Sequence, residues 1–179
     1  ICYHNINVNI VSVGGGFGYG TAGYTHYAIE DLAVMRSMPN MTVVAPGDPI
    51  ETSLAIKAII KQKGPCYLRL GKAGEPIVYN TQPNFEIGKP IKIKDGKDVT
   101  LLSTGGMLKE TIDASELLEK DGISAGVLSM HTVKPINSKF VLESLNTKLT
   151  VVIEEHSSIG GLGSAIADIL VKTNGNYPQ

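Results

Sequence analysis

The chain has 179 residues, 42% hydrophobic and 18% charged, a composition able to bury a core and unlike that of a disordered segment. Sixteen Lys and Arg against seventeen Asp and Glu leave a formal charge of −1, so no general attraction to nucleic acid or to an anionic membrane is expected. Apolar runs fall far short of the roughly 20 residues a membrane helix needs, and two cysteines without metal-ligand spacing, Cys2 and Cys66, suit a reducing, cytoplasmic setting.

The sequence opens at Ile1 rather than Met, so it is expected to begin inside a longer protein. Residues 1–29 hold no Asp, Glu, Lys or Arg, and this start is expected to be buried or to line something. Residues 8–13, β-branched and flanked by glycine, read as an interior strand. Positions 14–23 then contain six glycines and form a loop. Ile29, Leu32, Ala33 and Met35 keep helical spacing across 28–38, and Pro39-Asn40 stops it. A strand over 42–45 follows. Asp48-Pro49-Ile50-Glu51 is a helix start in which Asp48 caps, Pro49 sits where a missing N–H costs nothing, and Glu51 completes a capping-box pattern. Gly64-Pro65 ends that helix and Cys66 opens a strand over 66–70. Residues 71–85 carry turn signals and little periodicity, and read as a linker. Beyond it, Pro90-Ile91-Lys92-Ile93 alternates into a turn at Asp95-Gly96. Three strand–helix units follow, with strands over 99–103, 125–130 and 149–154 and helices over about 107–121, 138–146 and 162–173. This alternation predicts right-handed crossovers and a parallel sheet covered on both faces, an α/β fold.

The glycine loop runs into Tyr24-Thr25-His26-Tyr27 directly ahead of the expected helix. Ligands of open α/β sheets sit beyond the carboxyl ends of the strands, so His26 stands either at a ligand edge or in a local cap. The glycines match neither a P-loop nor the dinucleotide spacing. A second cluster, Gly160-Gly161-Leu162-Gly163-Ser164, imitates a phosphate-binding turn. Glu154-Glu155 ahead of it would repel an anion, so close packing of helix on sheet, or on another subunit, is the expected use. Arg69 and Lys72 suit a phosphate or carboxylate if they face the cleft of His26, and are otherwise solvated charges. Glu30-Asp31 complement a helix dipole. His131 and His156 have no partner at diagnostic spacing and are expected at interfaces or caps. No zinc, calcium, Walker or catalytic-triad pattern is present.

Taken in order, Gly23-Tyr24-Thr25-His26-Tyr27-Ala28-Ile29-Glu30-Asp31-Leu32-Ala33, Arg36-Ser37-Met38-Pro39-Asn40-Met41 and Pro46-Gly47-Asp48-Pro49-Ile50-Glu51-Thr52 resemble the transketolase family of thiamine-diphosphate enzymes. The resemblance continues through Gly64-Pro65-Cys66-Tyr67-Leu68-Arg69-Leu70-Gly71-Lys72, Val133-Lys134-Pro135 and Val152-Ile153-Glu154-Glu155-His156, and so covers nearly the whole chain. It implies that residues 1–82 are the later part of a pyrimidine-binding domain with a parallel sheet. Residues 83–179 would be most of a C-terminal α/β domain, its end possibly truncated. The implied activity is transfer of a two-carbon ketol unit between sugars, usually phosphorylated, through thiamine diphosphate. The family's motif histidine falls on His26, which would face the reacting adduct as the catalytic residue. Lys72 would contact a substrate phosphate where the family commonly has Arg, and Tyr24 joins His26 and Lys72 as an expected substrate contact.

Where transketolases usually carry Asp-Gly-Pro-Thr-His, this chain has Ala22-Gly23-Tyr24-Thr25-His26, and a family histidine upstream falls on Gly14. Both departures imply altered acceptor recognition. The diphosphate-binding domain with its divalent metal, Mg, is expected outside this chain. The chain alone is therefore expected neither to hold thiamine diphosphate tightly nor to turn over, and to need a partner segment or subunit and an oligomer, expected to be a dimer. A deoxyxylulose-phosphate synthase and the beta subunit of a 2-oxoacid dehydrogenase share these domains. A noncatalytic dimerisation or regulatory module of the same fold is the reading from another class.

Overall fold

The computed structural model describes residues 1–172; the end of the last expected helix at Thr173 and the closing Tyr177-Pro178-Gln179 lie outside the described residues. The strands Asn9–Val13 (β1), Thr42–Val44 (β2) and Cys66–Leu70 (β3) run parallel in the spatial order β1-β3-β2, and the helices Asp31–Ser37 (α1) and Pro49–Ile59 (α2) connect them. A second sheet is built from Ile91–Lys94 (β4), Val99–Ser103 (β5), Ala125–Ser129 (β6) and, beyond Thr132–Lys134 (β7), Leu149–Ile153 (β8). Its order is β4-β6-β5-β8, with helices Leu108–Lys120 (α3), Ser138–Ser144 (α4) and Leu162–Val171 (α5).

Two features depart from a wholly parallel arrangement. β4 lies antiparallel to β6, so the turn at Asp95-Gly96 leads from one edge of the second sheet to its interior instead of closing a hairpin. β7 leaves the second half altogether and pairs antiparallel with β2, extending the first sheet. Backbone bonds from Ala45 N to His131 O (2.8 Å) and from Gly105 N to Ala45 O (3.0 Å) hold the same seam.

Each sheet has apolar clusters on both faces. Leu32, Met41, Val43, Tyr67 and Val133 pack on one face of the first, and Val44, Ala55, Ile59, Cys66 and Leu68 on the other. β1, expected to be interior, is instead an edge strand whose only pairing among the described residues is with β3, and its outward Val11 and Val13 are more than half exposed, at 55% and 56%. The charge-free opening is correspondingly uncovered, with Ile1, Tyr3 and Ile6 in solvent. At β8 too, Leu149 and Val151 are exposed.

The start of α2 shows how local signals become packing. Asp48 Oδ1 accepts from Glu51 N at 2.7 Å, a cap contributing about 1 kcal/mol. The expected reciprocal half of the capping box is absent: the Glu51 carboxylate accepts from Gly47 N at 2.6 Å, one residue further back. The second Asp48 oxygen accepts from Val78 N at 3.1 Å, which fastens the linker to the same helix end.

Candidate functional site

β1 and β3 are paired from Asn9 opposite Cys66 to Val13 opposite Leu70, so the loops that follow them leave the same edge of the first sheet. Gly14 N and Gly15 N both donate to Leu70 O at 3.0 Å. Gly14 (φ +87°) and Gly16 (φ +66°) use left-handed backbone, and a Cβ would lie 2.1 Å from the Tyr19 ring at the first and 2.5 Å from Glu155 Cβ at the second. Gly16 and Ala28 exchange two backbone bonds of 2.9 and 3.0 Å, closing a loop that contains two 3₁₀ turns, Gly20–Ala22 and Tyr24–His26. His26 therefore precedes this bridge and not a helix; α1 starts at Asp31, because Ala28 is already committed to Gly16.

His26 is exposed, with Nδ1 3.1 Å from Thr25 Oγ1 and Nε2 without a hydrogen-bond partner among the described residues. Tyr24 is exposed beside it. Lys72 stands at the end of β3, its Nζ 5.9 Å from the centroid of the Tyr19 ring, within cation–π range. Lys72 also lines a cavity of about 300 Å³ between the carboxyl ends of the two sheets, with Gly15, Gly18, Glu75, Gly106 and Glu155. Neither His26 nor Tyr24 lines that cavity. Burial raises the pKa of Glu75, and the nearby carboxylates of Glu155, Glu110 and Asp48 add to the effect while Arg69 opposes it.

Arg69 is neither a solvated charge nor a free anion receptor. Only 4% exposed, it donates through Nε to Asp31 Oδ2 (3.0 Å) and through Nη2 to Ala28 O (2.8 Å) and Glu155 O (2.9 Å). Asp31 also accepts from Tyr67 OH at 2.8 Å, so its role exceeds complementing the helix dipole. His131 is wholly buried and stacks on Phe85 at 3.9 Å between ring centroids. His156 is a cap, as one sequence reading has it: Ala33 N in the first turn of α1 donates to Nε2 at 3.3 Å, and Nδ1 lies 2.8 Å from Ser157 O.

The second glycine cluster is resolved by Glu154. Its Oε2 accepts from Leu162 N at 2.7 Å and its Oε1 from Gly163 N at 2.9 Å, so the carboxylate occupies the anion position at the start of α5. Gly161 admits it, since a Cβ there would lie 2.3 Å from Glu154 Oε2. With that amide pair taken, and with no group of three or more metal-ligating side chains among the described residues, the chain does not fit the metal and diphosphate end of thiamine diphosphate.

The model of the transketolase pyrimidine binding domain matches residues 1–74, and that of the transketolase C-terminal domain matches residues 88–179. The chain belongs to the transketolase family. It is 38% identical over 98% of its length to a putative transketolase C-terminal section of Methanocaldococcus jannaschii, spanning 56% of that protein. It is 39% identical over 95% of its length to a 6-deoxy-6-sulfo-D-fructose transketolase subunit of Clostridium sp. MSTE9, spanning 53% of it. A solved split-gene transketolase, described as an inactive beta4 tetramer, superposes with TM-score 0.88 at 41% identity, covering 98% of this chain and 57% of that one. The chain thus spans about half the length of these relatives. No helix among the described residues is long and apolar enough to cross a membrane.

Sequence reasoning missed the junction between the two sheets. Asp31, Arg69, Glu155 and His156 meet there from positions far apart in the chain, and the buried Glu51 with Tyr79 forms a second knot. A charged residue in the apolar run Cys66-Tyr67-Leu68-Arg69-Leu70 was the available signal for the first of these.

Proposed function

We propose that this chain is the C-terminal section of a transketolase that transfers a two-carbon ketol unit between sugar substrates, with thiamine diphosphate and Mg held by the complementary section. In this reading residues 1–82 belong to the pyrimidine-binding domain and 83–179 to the C-terminal domain. The observation that carries it is the side-by-side exit of the His26 loop and Lys72 from paired β1 and β3, which offers an unpaired imidazole nitrogen and an ammonium group at one sheet edge.

His26 Nε2 would hydrogen-bond hydroxyl groups at the reacting carbon and stabilise charge developing there. Lys72 would hold the anionic end of the substrate, a phosphate or, by analogy with the Clostridium relative, a sulfonate. Tyr24, exposed next to His26, would contact the sugar chain. Ala22 and Gly14 remove two polar groups that the family resemblance leads one to expect, so acceptor choice would differ from that of an ordinary pentose-phosphate enzyme. The inactive tetramer of the split-gene relative supports a section that self-associates and needs its complement for turnover. The test is to combine the chain with a complementary diphosphate-binding section, thiamine diphosphate and Mg, and to assay ketol transfer across phosphorylated and sulfonated sugars. Transfer that is lost in His26→Ala supports the reading; no transfer with any substrate sinks it.

A further inference from the structure

The segment after β8 reaches across to the stretch of chain that follows His26. Ser157 N donates to Ile29 O at 2.7 Å, and His156 Nε2 accepts from Ala33 N at 3.3 Å. Arg36 Nη1 donates to Gly160 O and, at 2.7 Å, to Gly161 O. Gly160, at φ +80°, comes so close to α1 that a Cβ would lie 2.6 Å from Ala33 Cβ. Arg69 closes the arrangement, because one nitrogen, Nη2, bridges Glu155 O and Ala28 O. Ala28 O is also the acceptor for Gly16 N, the bond that shuts the loop holding His26. Four hydrogen bonds thus join residues 155–161 directly to residues 28–36, and a fifth link, through Arg69, ends on the closing bridge itself.

We propose that residues 155–161 position the His26 loop, with His156 and Arg69 as positioning residues that couple the second sheet to the first. The consequence for catalysis rests on the functional reading above; the coupling itself does not. The backbone of residues 155–161 is a rigid template because its neighbours are fixed: Glu154 is locked on the start of α5 and Ser164 Oγ accepts from Gly160 N at 2.8 Å. An exposed glycine-rich loop sampling many conformations would place an imidazole poorly, whereas one pinned at its neck by a buried guanidinium spends its time near a single geometry.

Amide hydrogen exchange of the full chain tests the coupling at two reporter groups, Gly16 N–H and Ala28 N–H. His156→Leu removes the acceptor for Ala33 without touching either reporter. It is expected to speed exchange at both by about tenfold or more, with partial recovery in His156→Gln, which retains an acceptor. Val99→Ala, in the core of the second sheet at the amino end of β5 and paired with the start of β8, the end away from the junction, is the control for general loss of stability and is expected to leave the two amides within about twofold of the parent. Arg36→Met removes the two carbonyl contacts from a partly exposed side chain and gives the same reading if His156→Leu does not fold. Equal effects of junction and control variants, or no effect of either junction variant, overturn the proposal. In the assembled enzyme His156→Leu is expected to lower kcat about tenfold with KM nearly unchanged. Faster exchange in the junction variants, together with no ketol transfer by the assembled parent, would leave the coupling standing and refute the functional reading; transfer by the parent with amides that do not respond to the junction variants would do the reverse.

Discussion

The hydroxyl of Tyr79 lies 2.5 Å from the carboxylate of Glu51, tying the segment between the two sheets to the first turn of α2. Glu51 is 0% exposed, and burial raises its pKa above the ordinary 4.5, while hydrogen bonds from Ser129, Tyr79 and Gly47 pull it back. As pH rises past 4.5 the unfolded chain releases this proton while the native chain still holds it. Stability therefore falls with rising pH through that window, and the penalty is full above the raised value. Glu51→Gln cannot ionise and is expected to flatten the trend. Tyr79→Phe is expected to cost about 1–3 kcal/mol, more at pH 8 than at pH 5, because it strips a donor from a buried anion. Urea midpoints at the two pH values check both, and identical pH trends in parent and Glu51→Gln would exclude the assignment.

His131 has the opposite dependence. Burial pushes its pKa from 6.5 down to about 4, against a smaller contrary pull from the Lys89 backbone. The native imidazole stays neutral where the unfolded one takes a proton, so stability is intact above about 6.5 and is lost as pH falls towards 4. The shift corresponds to about 3 kcal/mol at its full extent. His131→Gln is expected to lower stability at pH 7, by losing the Phe85 stack, yet to lose less on acidification than the parent. Because the Glu51 and His131 trends oppose each other, each is read from the difference between parent and variant. An acid limb unchanged in His131→Gln would assign the sensitivity elsewhere.

Local chemistry made several elements legible in the sequence. The β-rich run at Cys66 predicts a strand over 66–70, the range observed for β3, and Asp48-Pro49 marks the start of α2. What stayed hidden depends on partners distant in the chain. β7 follows closely on β6 and reads as part of the second half, and nothing local says that Thr132 and Lys134 pair with Val44 and Val43 of β2. Arg69 looks like a ligand-binding cation until Asp31, 38 positions earlier, and Glu155, 86 positions later, are brought beside it. His26 and Lys72 stand out in the sequence from the glycine loop and the strand end, and the motif resemblance supplies their roles; the parallel pairing of β1 and β3 explains why they share an edge, but periodicity alone could not order the strands.

Glu154 fills an anion position that the chain would otherwise offer to solvent. Glu154→Ala removes two charge-assisted bonds to Leu162 N and Gly163 N, and is expected to cost about 1–2 kcal/mol. The vacated amides would then accept a free anion. Sulfate or phosphate should raise the thermal midpoint of Glu154→Ala more than that of the parent, in which general salt effects act alike. Equal increments in the two proteins would show that the carboxylate is not acting as an internal anion.

His26 and Lys72 should separate cleanly in kinetics of the assembled enzyme, because both are exposed and neither carries the fold. His26→Ala is expected to lower kcat/KM by about 10²–10³ through lost stabilisation at the reacting carbon, with an unchanged thermal midpoint. Lys72→Ala is expected to raise KM for anionic sugars and to leave uncharged sugars little affected, since a point charge at the cavity rim acts on the substrate's charged end. Lys72→Arg keeps that charge and adds a planar fork, so it should retain binding or tighten it for a phosphate. A thermal midpoint that falls in His26→Ala would assign His26 to the loop's own structure. A KM for phosphorylated sugars that ignores Lys72→Ala would remove Lys72 from the substrate site.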